Sequence, residues 1–369
     1  MGEGRAGMKV LVTGANGLVG ANLVRELLHR NVDVHAMVRA TSRLEALQGT
    51  AAPRVLGDVL QSPDLLARPM RGCEIVFHAA AHFTYDRVSD DALVRTSVTG
   101  TQNVLRAAAM AGVRRVVVTS SSVIFGSSPT PRWLDETAPR GAVSADGFVE
   151  PVYVASKVQQ DVAAAELARE LGLEIVFTCP TMCVGPYGTV LGPSNGVIVA
   201  YLSDPLRMTY PGGCNIVSVR DVAAGHWLAA TRGTAGEHYL LGGENLQWEQ
   251  IHALVAGLCG ADPPRTRINH TLAFAAAGFE ELRARFERRA ALTTRQQARL
   301  VGRYYWYSHA KAAAMGYAPR TARAALAEAC AWLAGSEHVS RELRSTLRLH
   351  AEVHAARRAL GAWDRSEAR

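Results

Sequence analysis

Apolar residues along this chain come in short, nearly unbroken runs that alternate with stretches of helical spacing. KVLVTG (9–14) is a Val-rich run closed by glycine, the pattern of a strand buried on both faces. LVGANLVRELLHR (18–30) spaces its apolar residues at three and four, which predicts a helix. VDVHAMVR (32–39), CEIVFHAAA (73–81), VRRVVVTSS (113–121) and LEIVFTCP (173–180) read as further strands. VRTSVTGTQNVLRAAAMAG (94–112) and YVASKVQQDVAAAELARELG (153–172) read as helices. Strands that are apolar throughout and alternate with helices predict a doubly wound parallel α/β sheet covered on both faces.

The alternation breaks after about residue 185, where glycine, proline and short runs dominate VGPYGTVLGPSNGV. Helical segments are predicted over 246–259, 270–300 and 321–335. The expected organisation is a flexible leader (1–7) and a sheet domain (8–184) to which elements near 214–240 return. A smaller, mostly helical substrate lobe (185–335) and a helical extension (336–369) follow. The extension, with RELRSTLRLHAEVHAARRAL, is expected to pack on the body or to form a dimer contact.

Composition narrows the classes. Of 369 residues, 48% are hydrophobic, enough for a sizeable core. The cysteines (Cys73, Cys179, Cys183, Cys214, Cys259, Cys330) are scattered with no CxxC, so neither a disulfide framework nor a zinc site is expected and a reducing cytoplasm is the default location. No metal site is expected from the dispersed histidines either. No run of about 18 apolar residues occurs, which speaks against a membrane span. The net charge of +7 is carried in part by RARFERR and the last basic helix. No aromatic–basic interleaving of a nucleic-acid module accompanies it. The expected partners are a small-molecule substrate and, through a dimer contact, a second copy of the chain; neither nucleic acid nor membrane is expected.

The chemistry begins at TGANGLVG, which sets Gly14, Gly17 and Gly20 between the first strand and the first helix. Glycine is needed where a turn is tight and where backbone must approach a pyrophosphate, and the helix N-terminus offers N–H groups and partial positive charge to phosphates. A turn of this kind between strand and helix predicts a dinucleotide-binding Rossmann sheet. At the end of the second strand, where an acid would favour NAD, stand Arg39 and, close behind, Arg43. Two guanidinium groups suit a 2′-phosphate, so NADP is preferred, with NAD the alternative. Asp58 in GDV could accept from an adenine amino group or cap the following segment.

VYVASK places Tyr153 and Lys157 one helical turn apart, on one face. A phenol of pKa about 10 is a poor base at neutral pH, but a neighbouring ammonium stabilises the phenolate. Alone, the pair could equally be a solvated surface pair. The motifs TGANGLVG, GDV, HAAA, VVTSSS and YVASK, in this order, resemble the extended short-chain dehydrogenase/reductases, and the resemblance covers about residues 8–335. It looks closest to the dihydroflavonol-reductase-like and hopanoid-associated sugar-epimerase-like branch. The resemblance implies catalytic roles for Ser121, Tyr153 and Lys157, with Ser122 as the fallback serine. Ser97, in SVTGT, stands where the family carries an asparagine. Cofactor contacts are implied from Asn16, Leu18, Val19, Val59 and Thr119. Ala79, Ala80, Ala81, Pro180 and Thr181 complete that set. The substrate wall is expected from HFTYDR, IFG and MCVGPYG, with His82, Tyr85, Ser122, Cys183 and Tyr187 the named candidates.

Three reactions share this machinery. Dehydratases of the superfamily carry Thr-Asp-Glu where this chain has Ser121, Ser122 and Val123. Val123 can neither protonate a leaving hydroxyl nor take a carbon-bound proton, so dehydration is set aside. An epimerase needs groups for a nucleotide diphosphate, for which Arg132, Arg207 and Arg220 are candidates. The mostly apolar expected wall favours an NAD(P)H-dependent reductase of a small, partly apolar ketone or aldehyde. A sugar-nucleotide epimerase is the alternative, and a non-catalytic NADP-binding regulator the third.

Overall fold

The chain begins β1 (Lys9–Thr13), α1 (Leu18–His29), β2 (Asp33–Val38), β3 (Arg54–Leu56), α2 (Pro63–Met70) and β4 (Ile75–His78). It continues through α3 (Asp90–Met110), β5 (Arg115–Thr119), α4 (Val152–Leu171) and β6 (Glu174–Pro180). This computed structural model describes residues 7–80, 90–286 and 295–366. The second half adds β7 (Met182–Val184), α5 (Pro193–Ser203), β8 (Met208–Thr209), β9 (Gly213–Ser218), α6 (Val219–Arg232), β10 (His238–Leu241), β11 (Glu244–Gln247) and α7 (Trp248–Cys259). Then come β12 (Thr266–Arg267), α8 (His270–Phe286), α9 (Arg295–Ala298), β13 (Tyr304–Tyr305), α10 (Ala310–Ala314), α11 (Ala322–Leu333), α12 (Arg341–Thr346) and α13 (Ala351–Ser366).

Seven strands form one parallel sheet in the order β10-β6-β5-β4-β1-β2-β3. The strand order reverses between β1 and β4. The carboxyl ends of these two strands therefore flank the crevice where doubly wound sheets bind ligands. Every residue of β4 is buried, as its unbroken apolar run requires for a strand with both faces covered. Leu23, Val24 and Leu27 of α1 pack on one face with Val10 and Val12. Val104, Leu105, Ala164 and Leu167 of α3 and α4 pack on the other with Leu11 and Val116.

The C-terminal part is less purely helical than its sequence suggests. A four-stranded mixed sheet, β11-β9-β13 with β7 on β9, stands beside the helices. Its strands are two to six residues long, too short to show a period against the surrounding glycines and prolines. The helix expected over 270–300 ends at Phe286, and α9 covers Arg295–Ala298; 287–294 lie outside the described residues. In the extension, Val353 and Leu360 of α13 are buried in one cluster with Val255 of α7 and Leu326 of α11. Its far end reaches α1: Trp363 stacks on His29 with ring centroids 5.1 Å apart, and Asp364 accepts from Arg25 Nε at 3.3 Å.

Candidate active site

The glycine turn divides its three glycines by role. Gly14 sits at φ +64°, and a Cβ there would fall 2.6 Å from Ala80 Cα. The chain leaving β4 thus lies directly against the turn, and only glycine fits both the conformation and the approach. A Cβ on Gly20 would lie 2.2 Å from Gly14 O, so this glycine lets α1 close on the turn. Gly17 differs. It is exposed, and a Cβ on it would meet only Gly14 O, at 3.3 Å. It is the N-cap of α1, with no side-chain cap and no acid in the first turn, where Leu18 and Val19 follow. This uncapped helix start, with the small backbone of Gly17 facing outward, fits the phosphates of a dinucleotide.

His78 fixes the other side of the crevice. Its Nδ1 and Nε2 meet Thr13 Oγ1 and Thr101 Oγ1, each at 2.9 Å, so β1, β4 and α3 are tied together at one buried ring. Thr13 Oγ1 also accepts from Ala80 N at 3.3 Å, which sets Ala79 and Ala80 in place. Burial, with a smaller push from the Lys157 ammonium, lowers the His78 pKa to about 3, so the ring is neutral. His78 opens the HAAA motif, and the signal for its bridging role is a polar side chain closing an otherwise apolar strand. Ser97 is buried on α3, one turn before Thr101 and on the same face.

Tyr153 and Lys157 occupy the first two turns of α4, whose N-cap is Pro151. Both are buried, at 8% and 2% exposure. Lys157 Nζ donates to Thr119 O at 2.9 Å and to Gln160 Oε1 at 3.0 Å. The first of these bonds ties α4 to the end of β5, from which Ser120, Ser121 and Ser122 run on. Ser120 Oγ donates to Asp161 Oδ2 at 2.5 Å, and that oxygen is also 3.1 Å from His238 Nε2. Ser120 is therefore committed to a structural contact, which leaves Ser121 and Ser122, both buried, for other work.

Desolvation lowers the Lys157 pKa to about 8, against the pull of the nearby Asp161 carboxylate, which raises it. The ammonium is thus the main form only below about pH 8. Asp161→Asn keeps the shape and removes the charge, so the Lys157 pKa should fall further. If the ammonium is required, the alkaline limb of the rate profile then moves to lower pH. A profile that superposes on the parent's would show that Asp161 does not act on Lys157.

The remaining candidates divide. Asn16 Nδ2 donates to Arg43 O at 3.2 Å, which moors the loop after β2 to the glycine turn. Arg39 is exposed at the end of β2, its N–H on Ser42 Oγ at 3.1 Å. Arg43 is exposed and ion-paired to Glu45 at 3.2 Å and Glu337 at 2.6 Å. Asp58 Oδ1 accepts from Leu60 N at 3.0 Å in a local turn, and the N-cap of α2 is Ser62. Val59 packs against Gly100, and its carbonyl accepts from Asn103 Nδ2 at 3.1 Å. Thr119 Oγ1 is 3.0 Å from His226 Nε2. Pro180 closes β6, and Thr181 Oγ1 donates to Asn215 Oδ1 at 2.8 Å.

Two expected substrate residues are held elsewhere. Cys183 is buried with Val217 and Val219, and its Sγ donates to Thr181 O at 3.4 Å. Tyr187 lies under the Arg25 guanidinium, 3.6 Å from its ring centroid, and donates to Asp364 Oδ1 at 2.7 Å. That is a packing contact between α1 and α13, which an apolar-aromatic count along one segment could not reveal. Ala81, His82 and Tyr85 lie outside the described residues. Two of the arginines weighed for a nucleotide diphosphate are likewise occupied: Arg207 donates to Tyr201 O and Leu202 O at 2.8 and 2.9 Å, and Arg220 pairs with Glu328 at 2.7 Å.

A parallel sheet with a phosphate-fitting glycine turn at its switch point, beside a buried Tyr–Lys pair, defines an NAD(P)-dependent enzyme of the extended short-chain dehydrogenase/reductase superfamily. Residues 10–242 match the model of the NAD dependent epimerase/dehydratase family, and the chain belongs to that family. A Synechocystis protein named for dihydroflavonol 4-reductase is 33% identical over 333 residues, 89% of this chain and 95% of that one. Sterol demethylase protein B of Methylococcus capsulatus is 32% identical over 333 residues, 88% and 98% of the two chains. The crystal structure of gox2253 superposes with a TM-score of 0.76 at 32% identity, covering 90% of this chain and 99% of that one. Among the described residues no helix is long and apolar enough to cross a membrane.

Proposed function

We propose that this protein reduces a ketone or aldehyde of a small, partly apolar substrate, with Tyr153 as the proton donor. The observation that carries the reading is the 2.9 Å bond from Lys157 Nζ to Thr119 O, which holds the Tyr153–Lys157 face beside the strand end bearing Ser121. When bound, the nicotinamide supplies the hydride, which no side chain can. Tyr153 donates its phenolic proton to the developing alkoxide, and Lys157 as a cation stabilises the phenolate that remains. Ser121, with Ser122 as the fallback, hydrogen-bonds the same oxygen. Ser97, on the face of α3 that carries Thr101, takes the family asparagine's place beside the site.

A cleft of about 550 Å³ lies by the start of α4, lined by Phe148, Val149, Pro151, Val152, Phe274 and Leu300 together with the charged Glu150, Glu281, Arg295 and Arg299. The engagement of Arg207 and Arg220 in internal contacts favours reduction over sugar-nucleotide epimerisation. Relatives named for reductases lean the same way. On the cofactor, Arg39 supports NADP, whereas Arg43 already has two carboxylate partners. Mass spectrometry of the purified protein tests the reading. An empty site that binds NADPH and oxidises it with aliphatic or aromatic ketones is expected; tightly retained NAD with no ketone turnover would instead mark an epimerase.

A further inference from the structure

Arg43 joins three parts of the chain that are far apart in sequence. Its carbonyl accepts from Asn16 of the glycine turn at 3.2 Å. Its guanidinium meets Glu45 on its own loop at 3.2 Å and Glu337 of the C-terminal extension at 2.6 Å. The neighbouring contacts converge on the same place. Thr189 Oγ1 donates to Asn16 O at 2.9 Å, and His338 Nε2 is 3.2 Å from Gly188 O. The segment holding Glu337 is thus anchored to a loop that is itself bonded to the phosphate turn.

We propose that Glu337 is a cofactor-discriminating residue, through which the C-terminal extension weakens the binding of a dinucleotide bearing a 2′-phosphate. The inference rests on the dinucleotide reading of the glycine turn. A 2′-phosphate reaching the loop after β2 must share Arg43 with the carboxylates of Glu337 and Glu45. It also meets their negative charge within the distance at which charges are only partly screened. A dinucleotide with a free 2′-hydroxyl has no use for the guanidinium and meets no such opposition. Arg39, which has no ion pair with the extension among the described residues, supplies the remaining attraction. The outcome is a site whose preference is set by the balance of two arginines against two acids, one of the acids coming from a segment 294 residues away in sequence.

Fluorescence titration with NADPH and with NADH, on the full chain and on Glu337→Gln, tests this directly. Glu337→Gln should tighten NADPH by about three- to tenfold at low ionic strength, leave NADH unchanged, and lose most of the difference in high salt. Arg43→Gln should weaken NADPH alone, and in that background Glu337→Gln should tighten NADPH less than it does in the parent, by the direct repulsion only. An unchanged NADPH-to-NADH ratio, or an equal change in both, overturns the proposal while leaving dinucleotide binding intact. If neither dinucleotide binds any of the proteins, the dinucleotide reading and this inference fall together.

Discussion

Tyr153→Phe should lower turnover of a ketone substrate by about 10²–10⁴-fold, the usual contribution of a positioned general acid. That corresponds to about 3–5 kcal/mol of transition-state stabilisation. Phenylalanine occupies the same volume at this buried position, so α4 should keep its place and the dinucleotide should bind as in the parent chain. The Lys157 ammonium would remain on Thr119 O and Gln160 Oε1, neither of which involves the phenol. On the proposed mechanism, what is lost is the hydroxyl whose proton follows the hydride, and the proposed serine bond to the substrate oxygen would account for residual rate. Parallel measurement of NADPH binding and of single-turnover reduction separates the two effects. Turnover near the parent value, with cofactor binding unchanged, would show that another group gives the proton.

The central sheet was legible because its strands are buried on both faces, so an unbroken apolar run carries the whole signal; β4 and β5 are examples. The glycine turn and the Tyr–Lys pair were legible because each is local, a few residues on one turn or one helix. What sequence could not show were the contacts that bring distant segments together. The neutral His78 bridge depends on three elements meeting at one ring, and the pairing of Arg43 by Glu337 spans most of the chain. Tyr187 illustrates the converse. Its neighbours MCVGPYG read as a pocket wall, yet its own side chain is taken by Arg25 and Asp364. The short strands β9, β11 and β13 are set by pairing with one another rather than by their own period, which is why the lobe read as helical.

The three glycines of the turn should separate folding from ligand binding when each is replaced by alanine. Gly20→Ala drives a methyl carbon to 2.2 Å from Gly14 O, a backbone atom that cannot rotate away. Gly14→Ala combines a positive φ of +64° with a clash at 2.6 Å against the Ala80 backbone. Each should destabilise the protein by about 1–3 kcal/mol or more, seen as a lower midpoint in thermal or urea unfolding without any ligand. Gly17→Ala should behave differently. Its extended backbone, φ −79° and ψ 168°, accepts any residue, and its one close neighbour is at 3.3 Å. Unfolding should therefore stay near the parent's. The new methyl group, however, stands at the uncapped start of α1, where a pyrophosphate must approach the backbone closely. Dinucleotide affinity should fall by about tenfold or more, a loss on the order of 1.4 kcal/mol. Equal affinity in Gly17→Ala and the parent would mean that the phosphates do not use this helix start, and the cofactor assignment would have to be moved.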